Sequence, residues 1–314
     1  MKKYGLLFPG QGSQYVGMGK EICEKYPVAK DVFAQADRLL SNDLSTIIFD
    51  GPEDTLRQTQ YTQPAIFTVS MALYKTLLSL APLKPDNCLC AGHSLGEYSA
   101  LCACGAVSFE DGLKLVRARG TFIQEASTQS PGTMAAIIGF DRSQVETLCK
   151  NAASEGVCEA VNYNSPGQIV IAGTVTAINK AVALAQERGA TKAVILNVSG
   201  PFHSSLMAPA ADKMSVELTH YTFSDPVFPV LTNVDALPVT DGSALSEKLV
   251  RQVKSPVLWE DTIKKMITEG VDIFIEIGPQ RVLSGLLRRI DKTKKALNID
   301  DIKSLEKTVQ ELNS

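Results

Sequence analysis

The chain has few of the residues that metal centres and pH-sensitive sites use most. Its 314 residues include three histidines (His93, His203 and His220) and one tryptophan. Because imidazole is the commonest metal ligand in proteins, so few histidines argue against a histidine-rich metal centre. They also leave a short list of candidates for a catalytic base. We therefore expect no metal site.

The sequence has neither a large excess of one sign of charge nor a long apolar run. The net charge is −3, and no long block of basic residues occurs. Nucleic acid and anionic membrane are therefore not expected as main partners. No apolar run reaches the roughly 20 residues of a membrane-spanning helix. The first run, Leu6–Phe8, stops at Pro9 and Gly10, too early for a signal peptide, and predicts a buried strand.

The cysteines do not follow the pattern of a disulfide framework or a zinc site. Their number, seven, is odd. Four of them lie in apolar surroundings at C-x-C rather than C-x-x-C spacing: Cys88, Cys90, Cys102 and Cys104. Buried thiols in a reducing compartment are the simplest interpretation, and they predict a cytoplasmic protein.

One short motif, Gly92-His93-Ser94-Leu95-Gly96, indicates nucleophilic chemistry in a chain of otherwise ordinary composition. It follows the apolar run 88–91 and precedes a predicted helix over 97–103. Strand, sharp turn and helix form the context of a nucleophile elbow, in which the serine hydroxyl is exposed above a sheet. Side chains in place of the two glycines would collide across the turn. The alternative is a loop serine that glycines happen to flank.

His203 is the best candidate for the base that a serine nucleophile needs. It lies in a predicted loop late in the chain, in the Ser-then-His order of α/β-hydrolase-like enzymes. His93 is the neighbour of Ser94 and should point away from it across the turn. His220 is expected to be structural.

The charged partners of this pair are less clear from the residues alone. No Asp or Glu stands out between Ser94 and His203 as the acid of a triad, although Asp235 and Asp241 remain possible. Arg117 and Arg119 lie on opposite flanks of the apolar stripe of one predicted helix. An arginine at the edge of a buried face usually meets an anion, but periodicity does not say which of the two does so.

The predicted elements indicate an α/β fold with two domains. Residues 20–80 are predicted to be mostly helical. From about residue 128 the order becomes β-α-β-β-α-β, the ferredoxin-like unit. We predict an α/β-hydrolase-like catalytic domain with a parallel central sheet over 1–127 and 198–314, and a ferredoxin-like small domain over 128–197. The turn 162–167 is expected to face the large domain. The later predicted elements are a strand over 227–232, a helix over 245–253, and a last strand over 272–277 that a basic helix follows.

Eight motifs, in order along nearly the whole chain, resemble one known family. They are Gly10-Gln11-Gly12-Ser13-Gln14, Thr62-Gln63-Pro64-Ala65, Gly92-His93-Ser94-Leu95-Gly96-Glu97, Arg119-Gly120, Asn162-Tyr163-Asn164-Ser165-Pro166-Gly167-Gln168, Phe202-His203, Pro256-Val257-Leu258-Trp259 and Glu276-Ile277-Gly278-Pro279. Together they are similar to the malonyl-CoA:acyl-carrier-protein transacylases of type II fatty acid synthesis. Eight ordered motifs are far more specific than the elbow alone.

The resemblance implies a role for each catalytic residue. Ser94 would carry the malonyl ester, and His203 would take its proton and later return it. The partner that orients the histidine is a glutamine, here Gln252, which agrees with the missing acid. The backbone N–H groups of Gln11 and Leu95 would form the oxyanion hole.

The resemblance also implies the residues of the acyl pocket. Arg119 would pair with the free malonyl carboxylate. The resemblance thus selects Arg119 rather than Arg117 as the arginine that meets an anion. Gln63 and Asn162 would contact the substrate. Phe202 narrows the space beside the malonyl methylene, which favours malonyl over methylmalonyl.

The activity that the resemblance implies is a ping-pong transfer of malonyl from malonyl-CoA to acyl carrier protein. Coenzyme A would enter as the thioester substrate, and no bound cofactor is implied. A basic docking patch near Arg288 and Arg289 is one hypothesis for the acidic carrier. The alternatives are an acyltransferase that serves a polyketide carrier, a serine thioesterase and a non-catalytic interaction module.

Overall fold

The computed structural model describes residues 2–41 and 43–313. The strands are β1 (Tyr4–Phe8), β2 (Cys88–Gly92), β3 (Thr133–Ile138), β4 (Cys158–Ser165), β5 (Gln168–Gly173), β6 (Lys192–Ile195), β7 (Val230–Leu231), β8 (Pro238–Val239), β9 (Ile273–Ile277) and β10 (Lys295–Ile299). The helices are α1 (Lys20–Lys25), α2 (Pro27–Leu40), α3 (Leu44–Asp50), α4 (Glu53–Leu56), α5 (Thr59–Leu80), α6 (Gly96–Ala103), α7 (Phe109–Gln129), α8 (Arg142–Ala152), α9 (Val175–Glu187), α10 (Ala208–Glu217), α11 (Leu245–Val253), α12 (Trp259–Thr268), α13 (Val282–Ile290) and α14 (Ile302–Leu312). None of these helices combines the length and the apolar character needed to cross a bilayer.

The larger sheet is mixed rather than parallel throughout. Its strand order is β10-β9-β1-β2-β7-β8. The first five strands run parallel to their neighbours. The edge strand β8 runs antiparallel to β7, to which a short turn connects it. The prediction of a parallel sheet is therefore right for five strands and wrong at this edge, because a short connection can only join antiparallel neighbours.

Both faces of the larger sheet are covered. Strands β2 and β9 are buried at every position. In β1, Leu6 and Phe8 pack into the main apolar cluster, whereas Leu7 packs into a second cluster around Trp259 on the opposite face. Continuous apolar runs are typical of parallel strands that have helices on both sides. The segment 20–80 is mostly helical, as predicted, and contains α1 to α5.

A second, four-stranded sheet lies within the segment predicted as a separate unit. Its strand order is β4-β5-β3-β6, and all its pairings are antiparallel. The predicted order β-α-β-β-α-β is present from β3 to β6. One face packs against α8 and α9. The other face carries Met134 and Val170 and packs against Phe202, so it borders the cavity described below.

Backbone hydrogen bonds join the smaller sheet to the segment before α12. The Tyr163 N–H donates to the Val257 carbonyl at 3.0 Å, and the Val257 N–H donates to the Val161 carbonyl at 2.8 Å. Nearby, Asn164 Oδ1 lies 2.9 Å from His93 Nε2. The end of β4 therefore faces the elbow and the segment before α12. Residues 162–165, predicted as the start of a turn, belong instead to this strand.

The prediction failed most clearly at the edges of the larger sheet. Strand β9 is not the last strand, because β10 and α14 follow the basic helix α13. Strand β10 is a short edge strand that begins with the exposed Lys295, so it carries little of the apolar pattern that marks a buried strand. The strand predicted over 227–232 is reduced to Val230–Leu231. Pro229 lacks the N–H that a longer ladder would need.

Candidate active site

Strand β2 delivers Ser94 on a sharp turn into α6. Ser94 has a φ of 52°, in the left-handed region that residues other than glycine seldom occupy. A Cβ on Gly92 would lie 1.9 Å from the backbone of Gly96, and a Cβ on Gly96 would lie 2.0 Å from the Phe8 carbonyl oxygen. Both glycines are therefore needed sterically. The predicted collision across the turn is confirmed at Gly92, whereas at Gly96 the collision is with the end of β1.

The Ser94 hydroxyl contacts the imidazole of His203. Ser94 Oγ lies 2.7 Å from His203 Nε2. On the other side of the ring, His203 Nδ1 lies 2.8 Å from the backbone carbonyl oxygen of Gln252. Because a carbonyl can only accept, Nδ1 carries the proton and Nε2 is left to accept from Ser94. This tautomer is the one a general base needs.

The surroundings of His203 keep its ring neutral. Burial and, to a smaller extent, the nearby positive charge of Arg119 lower the pKa of His203 to about 3. Desolvation penalises the charged imidazolium, and a like charge adds to that penalty. The imidazole is therefore unprotonated at neutral pH and ready to accept a proton.

The other histidines and the two proposed acids lie elsewhere. His93 points away from Ser94, as predicted, towards Asn164, and its ring lies 5.4 Å from that of Trp259. His220 is exposed at the end of a short 3-10 turn. The carboxylate of Asp235 pairs with Lys248 and Thr232, whereas that of Asp241 caps the N–H of Ser243. Neither acid serves His203, whose partner is the Gln252 carbonyl.

The structure distinguishes the two arginines of α7. Arg119 is 1% exposed, and its Nη2 lies 3.1 Å from Ser94 Oγ. Arg117 instead donates to the Gln60 carbonyl at 2.6 Å and stacks over the Tyr61 ring. Only Arg119 therefore reaches the serine.

The hydrogen bonds of Arg119 are all to neutral oxygens, and its guanidinium lies over the ring of Tyr98. Nη1 donates to Gln63 Oε1, and Nη2 donates to Gln252 Oε1, each at 2.9 Å. Its Nε has no hydrogen-bond partner among the described residues. Burial lowers the pKa of Arg119. Burying a guanidinium that has no carboxylate hydrogen-bonded to it costs free energy of desolvation, and an anionic ligand would offset that cost.

Two residues that the sequence did not single out hold this arrangement together. Asn233 Oδ1 accepts from the Ser94 N–H at 2.7 Å, and its Nδ2 donates to the Gly92 carbonyl at 2.7 Å. Glu97 Oε2 accepts from Gln252 Nε2 at 2.9 Å and from the Asn233 N–H at 3.0 Å. Asn233 thus braces the elbow, and Glu97 fixes the Gln252 amide that faces Arg119.

Both residues left a weak signal in the sequence. Glu97 is a carboxylate in the otherwise apolar start of α6, and it is fully buried. Burial raises the pKa of Glu97 to about 7, against the effect of its hydrogen bonds. Asn233 comes two residues after β7, close to the carboxyl end of a sheet strand, where sites of α/β proteins gather. Neither signal identifies the hydrogen-bonding partner of the residue unless the fold is known.

Two backbone N–H groups near Ser94 are available to a ligand. Within the described residues, neither Gln11 nor Leu95 donates a backbone hydrogen bond. Leu95 directly precedes α6, whose N-terminus favours negative charge. Gly10 is required in the first loop because a Cβ there would lie 2.4 Å from the His93 carbonyl oxygen. The loop can therefore approach the elbow closely.

A cavity of about 360 Å³ opens above Ser94 between the two sheets. Gln11 and His203, which lie in loops, line it on the side of the larger sheet. Asn162 and Leu196 line it on the side of the smaller sheet. Asn162 Oδ1 is buried with no hydrogen-bond partner among the described residues. Phe202 lines both this cavity and a smaller one that Gln63 and Arg119 also line. Arg288 and Arg289 do not line either cavity, and Arg289 donates to Gln168 at 2.7 Å.

Comparison with known proteins shows the family to which the chain belongs. The chain matches the acyl transferase domain family over residues 6–311, which is nearly its full length. The chain belongs to the acyl transferase domain family.

The relatives of this acyl transferase are similar over their whole lengths. The malonyl CoA-acyl carrier protein transacylase of Bacillus subtilis (strain 168) is 45% identical over 313 residues, which cover 99% of this chain and 98% of that protein. The crystal structure of acyl-carrier-protein-S-malonyltransferase from Bartonella henselae superposes with a TM-score of 0.95 at 43% identity, covering 99% of this chain and 100% of that one. The resemblance predicted from the eight motifs is therefore confirmed.

A third relative was solved together with its partner. A type II PKS acyl-carrier protein in complex with its malonyl-transacylase aligns with a TM-score of 0.95 at 40% identity, covering 99% of this chain and 100% of that one.

Proposed function

We propose that this acyl transferase moves a malonyl group from malonyl-CoA to the phosphopantetheine thiol of an acyl carrier protein, through a malonyl ester of Ser94. The observation that carries the proposal is the position of Arg119. Its guanidinium is buried, donates hydrogen bonds only to neutral oxygens, and lies 3.1 Å from the Ser94 hydroxyl. An acyl group that bears its own carboxylate satisfies this charge as soon as it joins Ser94.

In the first half-reaction Ser94 attacks the thioester carbonyl. His203 Nε2 takes the hydroxyl proton as the C–O bond forms, because its ring is neutral and 2.7 Å away. The Gln252 carbonyl holds the ring through Nδ1 and stabilises the imidazolium that forms. His203 then gives the proton to the departing thiolate of coenzyme A as the C–S bond breaks.

In the second half-reaction the same groups act in reverse. The phosphopantetheine thiol loses its proton to His203 and attacks the malonyl ester, and Ser94 regains the proton as it leaves. The negative oxygen of each tetrahedral intermediate is assigned to the N–H groups of Gln11 and Leu95. Such preorganised donors are each worth about 3–4 kcal/mol of transition-state stabilisation. No metal or bound cofactor is needed for these steps.

The acyl pocket fits a malonyl group of limited width. Gln63 supports one side of the Arg119 guanidinium, and Phe202 closes the space beside the acyl chain. We assign the orphaned Oδ1 of Asn162 to an N–H of the pantetheine arm, since a buried acceptor without a partner is costly. The selection of malonyl over acetyl thus depends on charge, and the selection over methylmalonyl on shape.

We also propose a division of the chain into two domains that border the site. We assign residues 1–127 and 198–314 to an α/β-hydrolase-like catalytic domain and 128–197 to a ferredoxin-like small domain. Support for this division comes from the elbow after β2 and from the separate apolar core of the antiparallel sheet. The small domain would then form one wall of the cavity and leave the reacting groups to the large one.

Fatty acid synthesis is the proposed setting, with acyl carrier protein as the partner. Support comes from the malonyl CoA-acyl carrier protein transacylase of Bacillus subtilis, which is 45% identical. A polyketide carrier is the second candidate, because the type II PKS transacylase solved with its carrier is 40% identical. The proposed location is the cytoplasm, which accords with seven cysteines that form no disulfide.

The test is turnover of malonyl-CoA with a purified holo-acyl carrier protein, with acetyl-CoA and methylmalonyl-CoA as competitors. We expect malonyl-carrier protein as the product and little transfer from either competitor. A polyketide carrier assayed in parallel distinguishes the two settings. Incubation of the malonyl-enzyme in buffer alone is the control, because rapid loss of the acyl group there would indicate a thioesterase instead.

A further inference from the structure

The residues that line the cavity above Ser94 differ in exposure. Those beside Ser94 are buried or half-buried, whereas four at the outer edge are exposed. We call these four the rim: Gly12, Arg57, Asn197 and Ser199. Among the described residues that line the cavity, Arg57 is the only arginine, lysine or carboxylate. The rim therefore carries one permanent charge, and that charge is positive.

The backbone around Arg57 is fixed against both walls of the cavity. Arg57 directly follows α4, and Thr59 two residues later begins α5. Thr59 Oγ1 lies 3.1 Å from the Ser199 hydroxyl on the opposite wall and accepts from Gln11 Nε2 at 3.3 Å. The base of the Arg57 side chain is thus held at the entrance, while its guanidinium can move.

The ion pair between Arg57 and its neighbour Glu53 is weak. Its Nη2 lies 2.6 Å from Glu53 Oε1 one helical turn earlier, and the two side chains are 51% and 63% exposed. An exposed pair of this kind is worth at most about 1 kcal/mol. Because a guanidinium has five donors in a planar fork, the remaining ones can bind a phosphate in two places at once.

We propose that Arg57 binds the phosphate at the outer end of the pantetheine arm. This inference rests on the proposed transfer, in which donor and acceptor both present a thiol on pantetheine with a phosphate at its other end. With the thioester at Ser94 and the arm along the cavity, the phosphate lies at the entrance. The subsite takes the phosphate esterified to pantetheine, which is part of a diphosphate in coenzyme A and of a phosphodiester in the carrier protein.

The experiment compares donors that differ only in this phosphate. Initial rates are measured with malonyl-phosphopantetheine and malonyl-pantetheine, with pantetheine as the acceptor, for the wild type, Arg57→Ala and Arg57→Lys. We expect the wild type to show about a tenfold lower KM for the phosphorylated donor, as one charge-assisted phosphate contact would give. In Arg57→Ala this KM difference should disappear at unchanged kcat, and in Arg57→Lys part of it should remain.

A second series repeats the comparison on the acceptor side. The phosphopantetheine of a holo-carrier protein and free pantetheine serve as acceptors with malonyl-pantetheine as the donor, so an effect on only one side shows which phosphate binds. Arg251→Ala is the matched control, because Arg251 forms an exposed pair with Glu247 of the same spacing and does not line the cavity. It should leave every KM ratio as in the wild type.

The outcomes separate this inference from the proposed function. If the wild type uses both donors but prefers neither, or if Arg57→Ala keeps the full preference, the phosphate subsite at Arg57 is wrong and the transfer stands. If the wild type transfers malonyl from no donor, including malonyl-CoA, the proposed function itself is wrong. Thermal melting of each variant shows that the exposed substitution has not altered folding.

Discussion

The floor and the rim of the same cavity are built in opposite ways. On the floor, Ser94, His203, Arg119 and Gln252 are joined to one another by hydrogen bonds of 2.7–3.1 Å. At the rim, the exposed side chains of Arg57 and Asn197 have few such contacts. The floor is therefore rigid and specific, whereas the rim can adapt.

This difference matches what each part would do in the proposed reaction. Charge develops at the floor, where groups that are already in place avoid the cost of reorganisation during the reaction. The rim would contact the pantetheine arm, which belongs to coenzyme A in the first half-reaction and to the carrier protein in the second. Substitutions on the floor should therefore change the chemistry or the acyl selectivity, and those at the rim should change KM alone.

The largest expected effect is on the floor, in Arg119→Ala. We expect the ratio of kcat/KM for malonyl-CoA over acetyl-CoA to fall about 100-fold, or about 3 kcal/mol, because a buried charge pair with the substrate is lost. Competition assays with both thioesters measure the ratio. The control is Arg117→Ala on the same helix, whose contacts are to Gln60 and Tyr61. An unchanged ratio in a folded Arg119→Ala protein would remove Arg119 from its proposed role.

A smaller effect should follow from Phe202→Ala, which enlarges the acyl pocket without touching a charge. We expect kcat/KM for methylmalonyl-CoA to rise about tenfold relative to malonyl-CoA, since one extra methyl group is worth about 1–3 kcal/mol. Selection against acetyl-CoA should not change, because Arg119 is intact. Equal losses for malonyl and methylmalonyl would mean that Phe202 supports the fold rather than the selectivity.

A stability effect should come from Glu97, beneath the floor. Burial raises the pKa of Glu97 to about 7 from its ordinary value of 4.5. Between these pH values the folded chain keeps a proton that the unfolded chain has lost, so the contribution to stability is full below pH 4.5 and is lost as pH rises through 7. We expect Glu97→Gln to flatten the fall in melting temperature between pH 5 and 8.

The control for Glu97 is the exposed Glu110, which pairs with Lys114 on the surface of α7. Glu110→Gln should leave the pH slope as in the wild type. If the wild type shows no such slope, or if Glu97→Gln keeps it, Glu97 does not titrate in this range in the folded protein.

The smallest expected effect is at the rim, in Asn197→Ala. We expect the exposed amide of Asn197 to form one hydrogen bond with the pantetheine arm, and its loss should raise KM for malonyl-CoA by about threefold. The malonyl to acetyl ratio should stay constant, because no floor residue is altered. A changed ratio would show that floor and rim do not act separately, and the comparison between them would fail.

The same division explains how far the sequence could predict the site. The elbow is a local pattern, and its two glycines and Ser94 could be identified because the turn needs them within five residues. His203 followed from the scarcity of histidine and from chain order. Helix periodicity placed Arg117 and Arg119 on the flanks of one stripe, but only the packing of α7 against α5 shows which one reaches Ser94.

The residues that could not be predicted are those whose role depends on distant partners. Glu97 and Gln252 are 155 positions apart, and Asn233 reaches the elbow from a third segment. Their contacts arise only when β2, β7 and α11 come together. The edge strands were missed for a related reason, since β8 and β10 carry too few buried positions to leave an apolar pattern. The resemblance to a family supplied a role for Gln252, but it supplied none for Glu97 or Asn233.

The most direct test of the account is to find where the malonyl group is held. The enzyme is incubated with malonyl-CoA without acceptor, digested, and mapped by mass spectrometry, beside Ser94→Ala and the control Ser99→Ala, whose buried hydroxyl has no partner among the described residues. The account predicts malonyl on the Ser94 peptide of the wild type and of Ser99→Ala, and none on Ser94→Ala. Malonyl on another residue, or labelling that persists in Ser94→Ala, would contradict it.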